Sequence, residues 1–397
     1  MAQAKRVSPN LSAHLSPQPS LLRRLNERAI FELLLRSGTA SRTDLIRSLG
    51  VTAPTVHKAV ASLLDAGLVE EVGFDTTKNL GRPGMVYRVA SKSVQVIGVA
   101  LDVRQTAIVS AGLDGAIDEP SAQRFDTPHT YAKLIDAIVS HVKTFVDRDI
   151  QTIGIGVSTP GELDVTAQRI LLSPNLHITD GRSLSADLRE RTGIDAIMYH
   201  ETTGTCLAEW SHGAARGMRN FVMIGVYEGF GASIVSDGRL LLGRDGMGGE
   251  LGHITVDIHG ERCGCGNRGC IETVATDQAF ARKVSARLGS TMSIEAIIAG
   301  ARSGEIDARR ELNEAMDYLA IGAAAAINIF NPEAVLLCSR MFDAEPDALN
   351  RLTQRIQDRA LKPLRTGCQI IRAEGDTRRG AIASVIHHIS GSIGPVF

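Results

Sequence analysis

The chain has 397 residues, of which 44% are hydrophobic and 22% charged, an ordinary balance for a globular protein too long for one average domain. No apolar run approaches the roughly 20 residues of a membrane span, and the first 20 residues lack the apolar stretch of a secretory signal. We therefore expect a cytoplasmic protein of two or three domains with no membrane partner, preceded by a disordered tail over residues 1–20.

Charge is distributed unevenly along the chain. The net charge is −1, but residues 1–90 carry 12 Lys and Arg against 7 Asp and Glu, a net of +5 that leaves −6 for residues 91–397. A basic head on an acidic body favours nucleic-acid binding by the head, although an asymmetry of this size also arises by chance.

Two helices are predicted first in the head, which spans residues 21–90. Apolar residues at helical spacing predict a helix over Leu21–Ser37 that stops at Gly38. Ser41 has the character of an N-cap, with Asp44 in the first turn, for a short helix that runs through Leu49.

A third helix follows the tight turn at Gly50 and is the candidate recognition helix. Thr52 is its predicted N-cap, Gly67 ends it, and the buried stripe consists of Val56, Val60, Leu63 and Leu64. A helix that follows such a turn offers its N-terminal residues to the major groove of double-stranded DNA. The candidate DNA contacts on this helix are Pro54, Thr55, His57 and Lys58.

A wing is predicted after the third helix. Two strand-like runs, Leu68–Phe74 and Met85–Val89, flank a polar loop that carries Arg82, placed to enter a minor groove or contact a phosphate. The head is therefore predicted to be a winged helix-turn-helix that binds an operator. A helical protein-interaction module with a hairpin is the alternative, and His57 is equally compatible with a solvated surface position.

The body contains two weakly similar segments. Residues 94–117 and 221–242 each predict two strands, a turn (Asp114-Gly115 and Asp237-Gly238) and a third strand. A duplicated meander followed by helices suggests two α/β lobes, and ligands in such arrangements usually bind between them.

A candidate metal site lies in residues 248–272. Its predicted ligands, spaced H-x9-C-x-C-x4-C, are His253, Cys263, Cys265 and Cys270. Three sulfurs and one imidazole suit a closed, structural, tetrahedral Zn²⁺ site, one per chain. Gly264, Gly266 and Gly269 are expected to let the loop fold tightly. The alternative is buried cysteines with no metal.

From about residue 20 to the C-terminus the chain resembles the ROK family (repressors, open reading frames, kinases), in its winged-helix regulator branch. The matching segments are GRP (81–83), TPGELD (159–164), SPNL (173–176), GGELGH (248–253), GCIE (269–272) and NPEAVLL (331–337). The resemblance implies a two-lobed, actin-like and ribonuclease-H-like sugar-kinase fold, a sugar or sugar-derivative effector, and a homodimer or homotetramer. We expect a first lobe over 91–205, a second over 206–375 that holds the zinc loop, and a C-terminal helix over 376–397 that packs back on the first lobe.

The resemblance also implies a sugar pocket. The residues that match the family's pocket positions are Gly161, Asn175, Glu250, His253 and Glu272. The family's Asn-Asp pair, which carries the catalytic base, is matched by His200 and Glu201, so this wall is expected to be reshaped. Carboxylates and an amide satisfy sugar hydroxyls. Exposed loop carboxylates are the alternative for Glu250 and Glu272.

The phosphate-handling segments of family kinases are altered. The first glycine-rich loop is replaced by residues 100–104 (ALDVR), the second by 227–231 (YEGFG), and a glycine pair by Cys338-Ser339. Phosphate cradles need bare backbone N–H groups, and Glu228 would repel phosphate. We therefore expect no catalysis, with Glu201 at a vestigial base position, and a sugar-responsive transcriptional regulator, a repressor by resemblance, of carbohydrate-metabolism genes. A working sugar kinase with a DNA-binding head and a regulator controlled by a protein partner are the alternatives.

Overall fold

The computed structural model describes residues 19–74, 84–146 and 150–394. The chain divides into two compact units, Met1–Val89 with Ser390–Phe397, and Ala90–Ile389. Among the described residues, no helix is both long enough and apolar enough to span a bilayer.

The first unit contains three helices and a small sheet, as expected for a winged helix-turn-helix. The elements are α1 (Pro19–Ser37), β1 (Ala40–Ser41), α2 (Arg42–Leu49), α3 (Ala53–Asp65), β2 (Val69–Phe74) and β3 (Met85–Val89). The strands form an antiparallel sheet in the order β1-β3-β2. The predicted order of three helices and two strands is confirmed, with α1 starting two residues early at Pro19, α3 ending at Asp65 rather than at Gly67, and β2 starting one residue late at Val69. The short strand β1, which pairs with β3, was not predicted.

The N-termini of α2 and α3 differ, although an N-cap residue was predicted for both. Ser41 and Asp44 form a capping box: the Asp44 N–H donates to Ser41 Oγ at 3.3 Å and the Ser41 N–H to Asp44 Oδ2 at 3.1 Å. Thr52 holds the N-cap position of α3, but its side chain makes no cap hydrogen bond and lies 2.9 Å from the Thr55 hydroxyl. The prediction that Thr52 caps α3 is thus right about position and wrong about the bond.

The core of the first unit forms where the helices meet. Val56, Val60 and Leu63 are buried as predicted, but Ala59 completes the buried stripe of α3 and Leu64 is only half-buried. The small Ala59 side chain allows close helix contact at that position. The stripe packs against a core made by Ile30, Phe31, Leu34, Leu45 and Tyr87.

The second unit begins with a five-stranded sheet and its helices, the first lobe. Its elements are β4 (Val94–Ala100), β5 (Gln105–Ala111), β6 (Gln123–Asp126), α4 (Tyr131–Phe145), β7 (Gln151–Thr159), β8 (Glu162–Asp164), β9 (Arg169–Leu172), α5 (Leu184–Thr192) and β10 (Ala196–His200). The sheet order is β10-β7-β4-β5-β6, with β8 and β9 forming a separate hairpin. The apolar face of α4 packs with the buried residues of β4 and β7.

The remaining elements are those of the second lobe and the C-terminal helix. They are α6 (Glu201–Ser211), β11 (Phe221–Val226), β12 (Phe230–Ser236), β13 (Arg239–Leu240), α7 (Glu272–Ala275), α8 (Asp277–Leu288), α9 (Ile294–Ser303), α10 (Arg309–Phe330), β14 (Ala334–Cys338), α11 (Ala348–Arg359), α12 (Lys362–Arg365), β15 (Gln369–Arg372) and α13 (Thr377–Ile393). The sheet order is β13-β12-β11-β14-β15. α13 contacts the first lobe, where His388 Nε2 lies 3.3 Å from Asp195 Oδ2 and the rings of His387 and Tyr199 meet edge to face.

The two sheets share one topology. In each, the first three strands form an antiparallel meander and the first, fourth and fifth pair in parallel. The duplication predicted from residues 94–117 and 221–242 is therefore present, as an actin-like pair of lobes.

The third strand of the first copy was predicted in the wrong place. After the Asp114-Gly115 turn the chain makes only an isolated bridge between Ala111 and Ile117, and β6 begins at Gln123. A 3-10 turn with Pro120 intervenes. Proline lacks the N–H that a strand ladder needs, so pairing resumes only beyond it.

Candidate functional site

The candidate DNA contacts lie on the N-terminal half of α3. Pro54, His57 and Lys58 are exposed and Thr55 is half-buried. Their exposure leaves them available to a partner, while the opposite face of α3 is in the core. Arg82, the predicted wing contact, lies outside the described residues.

A cavity of about 770 Å³ is lined by residues of both lobes. All seven residues predicted to bind the effector line it: Gly161, Asn175, His200, Glu201, Glu250, His253 and Glu272. They come from β10, α6, α7 and the connecting loops, which are far apart in the chain. Folding thus brings the whole predicted set to one surface.

The wall near Gly161 depends on that glycine. Its φ is +91°, and a Cβ there would lie 2.7 Å from the Leu172 carbonyl oxygen and 2.8 Å from Ser173 Cα. This close approach places Ser173 at the cavity. Ser173 is only 1% exposed, and its Oγ has no hydrogen-bond partner among the described residues. Ser173 was not predicted, although it adjoins Asn175 in the SPN segment.

His200 and Glu201 join β10 to α6 at the cavity. His200 Nδ1 accepts a hydrogen bond from the Thr202 N–H at 3.2 Å, and burial lowers the pKa of His200, so its neutral ring presents Nε2–H. Burial, and then the nearby charges of Asp102 and Glu228, raise the pKa of Glu201 to about 7.

The four predicted metal ligands converge. One ligand atom from each of His253, Cys263, Cys265 and Cys270 lies within 4.8 Å of the others. The Sγ atoms of Cys265 and Cys270 are 3.8 Å apart, and Cys263 Sγ is 3.7 Å from His253 Nδ1. Tetrahedral zinc with Zn–S near 2.3 Å places its ligand atoms about 3.5–3.8 Å apart. The donor set and spacing fit such an ion, so the site can hold a metal.

The loop that carries these ligands turns back on itself at one indispensable glycine. Gly269 has φ +67°, and a Cβ there would lie 1.5 Å from the Asp257 carbonyl oxygen. Gly266 also has a positive φ, of +94°. The expectation for Gly264 is wrong: its φ is not in the left-handed region, and a Cβ there would meet open space.

His253 joins the metal cluster to the cavity. Its Nδ1 faces Cys263, whereas its Nε2 lies 3.7 Å from carboxylate oxygens of both Glu162 and Glu250. The His253 side chain lowers the pKa of Glu162, while burial and then the Glu162 charge raise the pKa of Glu250 to about 7. Sequence reasoning missed Glu162, although its position directly after Gly161 was the available signal.

Glu272 and Glu250 differ in how firmly they are held. Glu272 accepts a hydrogen bond from the Phe230 N–H at 3.1 Å and lies 3.7 Å from Cys263 Sγ. The Glu250 side chain is partly buried in the cavity wall and 47% exposed, within reach of His253. Glu272 is therefore a fixed acceptor, and Glu250 is free to reorient toward a ligand.

The segments that replace the kinase phosphate loops also line the cavity. Asp102 and Glu228 line both this cavity and a neighbouring one of about 1060 Å³. Burial and the Asp102 charge raise the pKa of Glu228. Two arginines line both cavities: Arg340 is held by Glu295 at 2.5 Å and Asp277 at 3.4 Å, and Arg282 is held by Glu261 at 2.7 Å.

Comparisons with known proteins agree with this architecture. The chain is similar to the DNA-binding transcriptional dual regulator NagC of Escherichia coli K12, with 28% identity over 380 residues, 92% of this chain and 93% of NagC. It is 26% identical to the xylose repressor of Bacillus subtilis 168 over 355 residues, 89% and 91% of the two chains.

A solved structure matches nearly the whole fold. The crystal structure of a ROK family transcriptional regulator, described as a homologue of the E. coli Mlc protein, covers 94% of this chain and 98% of its own, with a TM-score of 0.80 and 26% identity. Sugar kinases are also among the solved structures that match.

Two family models match consecutive parts of the chain. Residues 23–70 match the winged helix-turn-helix DNA-binding model, and residues 97–387 match the ROK family model, which accounts for most of the sequence. The chain belongs to the ROK family, in the form that carries a DNA-binding head.

Proposed function

We propose that this protein is a sugar-responsive, DNA-binding transcriptional regulator of carbohydrate-metabolism genes, acting as a repressor in the cytoplasm. The observation that carries the proposal is the combination of a winged helix-turn-helix with a ROK unit whose cavity is lined by all seven predicted effector residues. The similarity to NagC and to a xylose repressor over about nine-tenths of the chain supports it.

The effector would act through the two lobes of the ROK unit. Glu162 comes from the first lobe and Glu250 from the second, so a ligand that contacts both favours the arrangement of the lobes that keeps these two carboxylates close together. Such a ligand shifts the equilibrium only by the difference in its affinity for the two states.

DNA binding is tested by anisotropy with operator fragments selected from genomic DNA. We expect a pseudo-palindromic site with half-sites spaced by whole helical turns, bound by a homodimer or homotetramer. Lys58→Ala should weaken binding about tenfold at every sequence and lower the salt slope by about 1, because one phosphate contact is lost.

The control for the operator experiment is Lys133→Ala, which removes an exposed lysine from α4. Arg82→Ala is predicted to weaken binding in the same sequence-independent way. A footprint with a single half-site, or no change for both Lys58→Ala and Arg82→Ala, contradicts this model of the head.

The cluster of His253 and three cysteines is proposed to hold one structural Zn²⁺ per chain, with His253 coordinating through Nδ1. Four protein ligands leave no open coordination position, so the ion would supply rigidity rather than Lewis-acid chemistry. The backbone N–H of Asn267 lowers the pKa of Cys265, which favours the thiolate form that a metal requires.

The ROK unit is proposed to have no kinase activity. Phosphoryl transfer depends on positioning and on neutralising phosphate charge. Asp102 and Glu228 face the space where phosphates would have to lie, and two of the three arginines that line it, Arg282 and Arg340, are already paired. A coupled assay with ATP and hexoses should therefore give no turnover above background. Turnover that Glu201→Gln abolishes would make the protein an enzyme.

A further inference from the structure

The C-terminal half of α10 has apolar side chains on nearly its whole circumference. Residues 319–327 read LAIGAAAAI, nine residues without a polar side chain in a helix of 22 residues. A helix that is apolar all round is normally buried all round. In α10, however, Ile321 is 37% exposed and Ile329 is 65% exposed. One face of this helix therefore has no neighbour that covers it among the described residues.

The opposite face of α10 is held firmly in the core of the second lobe. Its buried side chains include Leu312, Met316, Leu319 and Ile327. The closest approach is at Gly322, where a Cβ would lie 3.0 Å from Ile271 Cδ1 and 3.4 Å from Phe230 Cζ. Because the core is close-packed, α10 cannot rotate to bury Ile321 without breaking these contacts. The exposed face is therefore available to a partner.

The exposed face has the spacing of a seam along which two helices pair. The residues of this seam, which alternate four and three positions apart, are Glu314, Tyr318, Ile321, Ala325 and Asn328. All five are exposed or half-buried. A seam with this spacing packs against a second helix, whose side chains fill the holes between its own. The partner that fits this face is therefore another helix.

The seam is symmetric about Ile321, which favours a second copy of the same helix. Glu314 lies seven residues before Ile321, and Asn328 lies seven residues after it. When two copies of α10 pack antiparallel with their Ile321 side chains opposed, Glu314 of each copy faces Asn328 of the other. Tyr318 then lies across from Ala325, so that a large side chain meets a small one.

The polar ends of the seam also match in charge. Asn328 Oδ1 accepts the Leu361 N–H at 2.9 Å, which leaves the Asn328 amide N–H groups to donate to a carboxylate. The residue after Leu361, Lys362, is exposed and forms no salt bridge among the described residues. Glu314 has one oxygen 2.7 Å from Lys283 Nζ and keeps the other as an acceptor. An antiparallel pair thus places an amide and a lysine of one copy near a carboxylate of the other.

We propose that the exposed face of α10 is an interface between two copies of this chain, packed antiparallel about a two-fold axis at Ile321. The proposed function requires two DNA-binding heads for a pseudo-palindromic operator, but it does not identify the surface that joins the copies. The pair buries the exposed isoleucines, and burial of apolar surface is the main driving force of association. A two-fold axis closes the assembly, so no third copy adds at this face.

Sedimentation velocity of the full chain at micromolar concentrations tests this interface. Ile329→Glu should dissociate the pair, because it places a carboxylate near Glu314 of the other copy. A two-fold interface contains each change twice, so the dissociation constant should rise about a hundredfold, about tenfold for each copy. The matched control is Val146→Glu, which puts the same charge on an exposed valine of the first lobe and should leave the assembly intact.

Cysteine cross-linking tests the register of the pair. Ile321→Cys lies on the proposed axis, so the introduced thiols of two copies should meet and form a disulfide-linked dimer under mild oxidation. Ile329→Cys lies on the same face, but its two copies would be about 24 Å apart along the helices, too far for a direct bond. The wild-type chain, with its six native cysteines, gives the background level of linking. We expect a linked dimer above that background from Ile321→Cys alone.

The outcomes distinguish failure of this interface from failure of the proposed function. A monomeric wild-type chain overturns the second copy as the occupant and leaves a different partner for this face. Ile329→Glu that assembles as tightly as the wild type also overturns the interface, and if operator binding persists the proposed function stands. A chain that links through position 321 but binds no operator and no sugar supports the interface and contradicts the proposed function. Equal linking of Ile321→Cys and Ile329→Cys overturns the antiparallel register.

Discussion

The two sides of the effector cavity are built in different ways. On one side, His253, Cys263, Cys265 and Cys270 come from 18 consecutive residues, and their ligand atoms lie within 4.8 Å of one another. On the other side, carboxylates from separate strands and loops of both lobes meet, with Glu162 and Glu250 each 3.7 Å from His253 Nε2.

This difference separates a rigid wall from an adjustable one. The metal loop is fixed by local backbone geometry and, when filled, by coordination bonds. The spacing between Glu162 and Glu250 depends instead on how the two lobes are arranged, so a ligand can change it. We therefore expect changes in the metal loop to act mainly on stability and changes in the carboxylates mainly on ligand binding, with His253 in contact with both sides.

The largest expected effect comes from breaking the rigid side. Cys263→Ser should abolish stoichiometric zinc and destabilise the second lobe by several kcal/mol, lowering Tm on the order of 10 °C, because a structural zinc site contributes directly to folding free energy. Metal analysis of the purified protein and a thermal melt check this.

The control for Cys263→Ser is Cys368→Ser, a half-buried cysteine outside the cluster. It should retain one zinc per chain and lose little stability. Wild-type protein that is folded but contains no zinc would contradict the proposed structural zinc site.

A matched pair of glycines tests whether the loop backbone is as constrained as its geometry indicates. Gly269→Ala forces a side chain into the Asp257 carbonyl at positive φ and should cost about 3 kcal/mol, whereas Gly264→Ala meets open space and should cost less than about 0.5 kcal/mol. Chemical denaturation of both variants measures the difference. Equal stability of the two would show that the loop can rearrange.

On the adjustable side, Glu201 should make the free energy of unfolding depend on pH. Its folded-state pKa is raised from 4.5 to about 7, so the folded protein binds this proton more tightly than the unfolded chain does. Stability should then fall as pH rises from about 4.5 to about 7. Glu201→Gln removes this penalty and should stabilise the protein by about 2 kcal/mol at pH 8, with little effect near pH 4.5.

The comparison uses Tm at several pH values, with the exposed Glu190→Gln on α5 as the control. Asp102 and Glu228 raise the pKa of Glu201 and Arg340 lowers it, so Asp102→Asn should reduce the effect. A stabilisation by Glu201→Gln that is the same at both ends of the pH range would mean that Glu201 does not titrate there.

The parts of the molecule that the sequence predicted well are those that short segments determine. The helices of the head followed from apolar spacing and caps, and the convergence of His253 with three cysteines followed from their separation in one loop. The seven residues that line the cavity were identified as a set only because the chain resembles a family, since no local pattern joins Gly161 to Glu272.

The parts that were missed depend on distant contacts or on competition between neighbouring groups. Glu162 could not be recognised as a site residue from the sequence, because its contact with His253, 91 positions away, exists only in the folded chain. The third strand of the first lobe was predicted too early, because a 3-10 turn with Pro120 interrupts the chain before β6 begins at Gln123. Thr52 was expected to cap α3, but its hydroxyl lies against that of Thr55.

The smallest expected effect compares the two helix starts of the head, where similar sequence signals gave different bonds. Ser41→Ala removes a capping box and should lower the free energy of local opening of α2 by about 1 kcal/mol, whereas Thr52→Ala removes no cap bond and should change α3 by less than about 0.5 kcal/mol. Hydrogen exchange of peptides that cover Arg42–Leu49 and Ala53–Asp65 in the full chain measures both values. Equal losses of protection in the two helices would mean that Thr52 caps α3 in solution after all. A loss confined to α2 would show that, even within one short motif, the partner a hydroxyl selects determines how much it stabilises the helix.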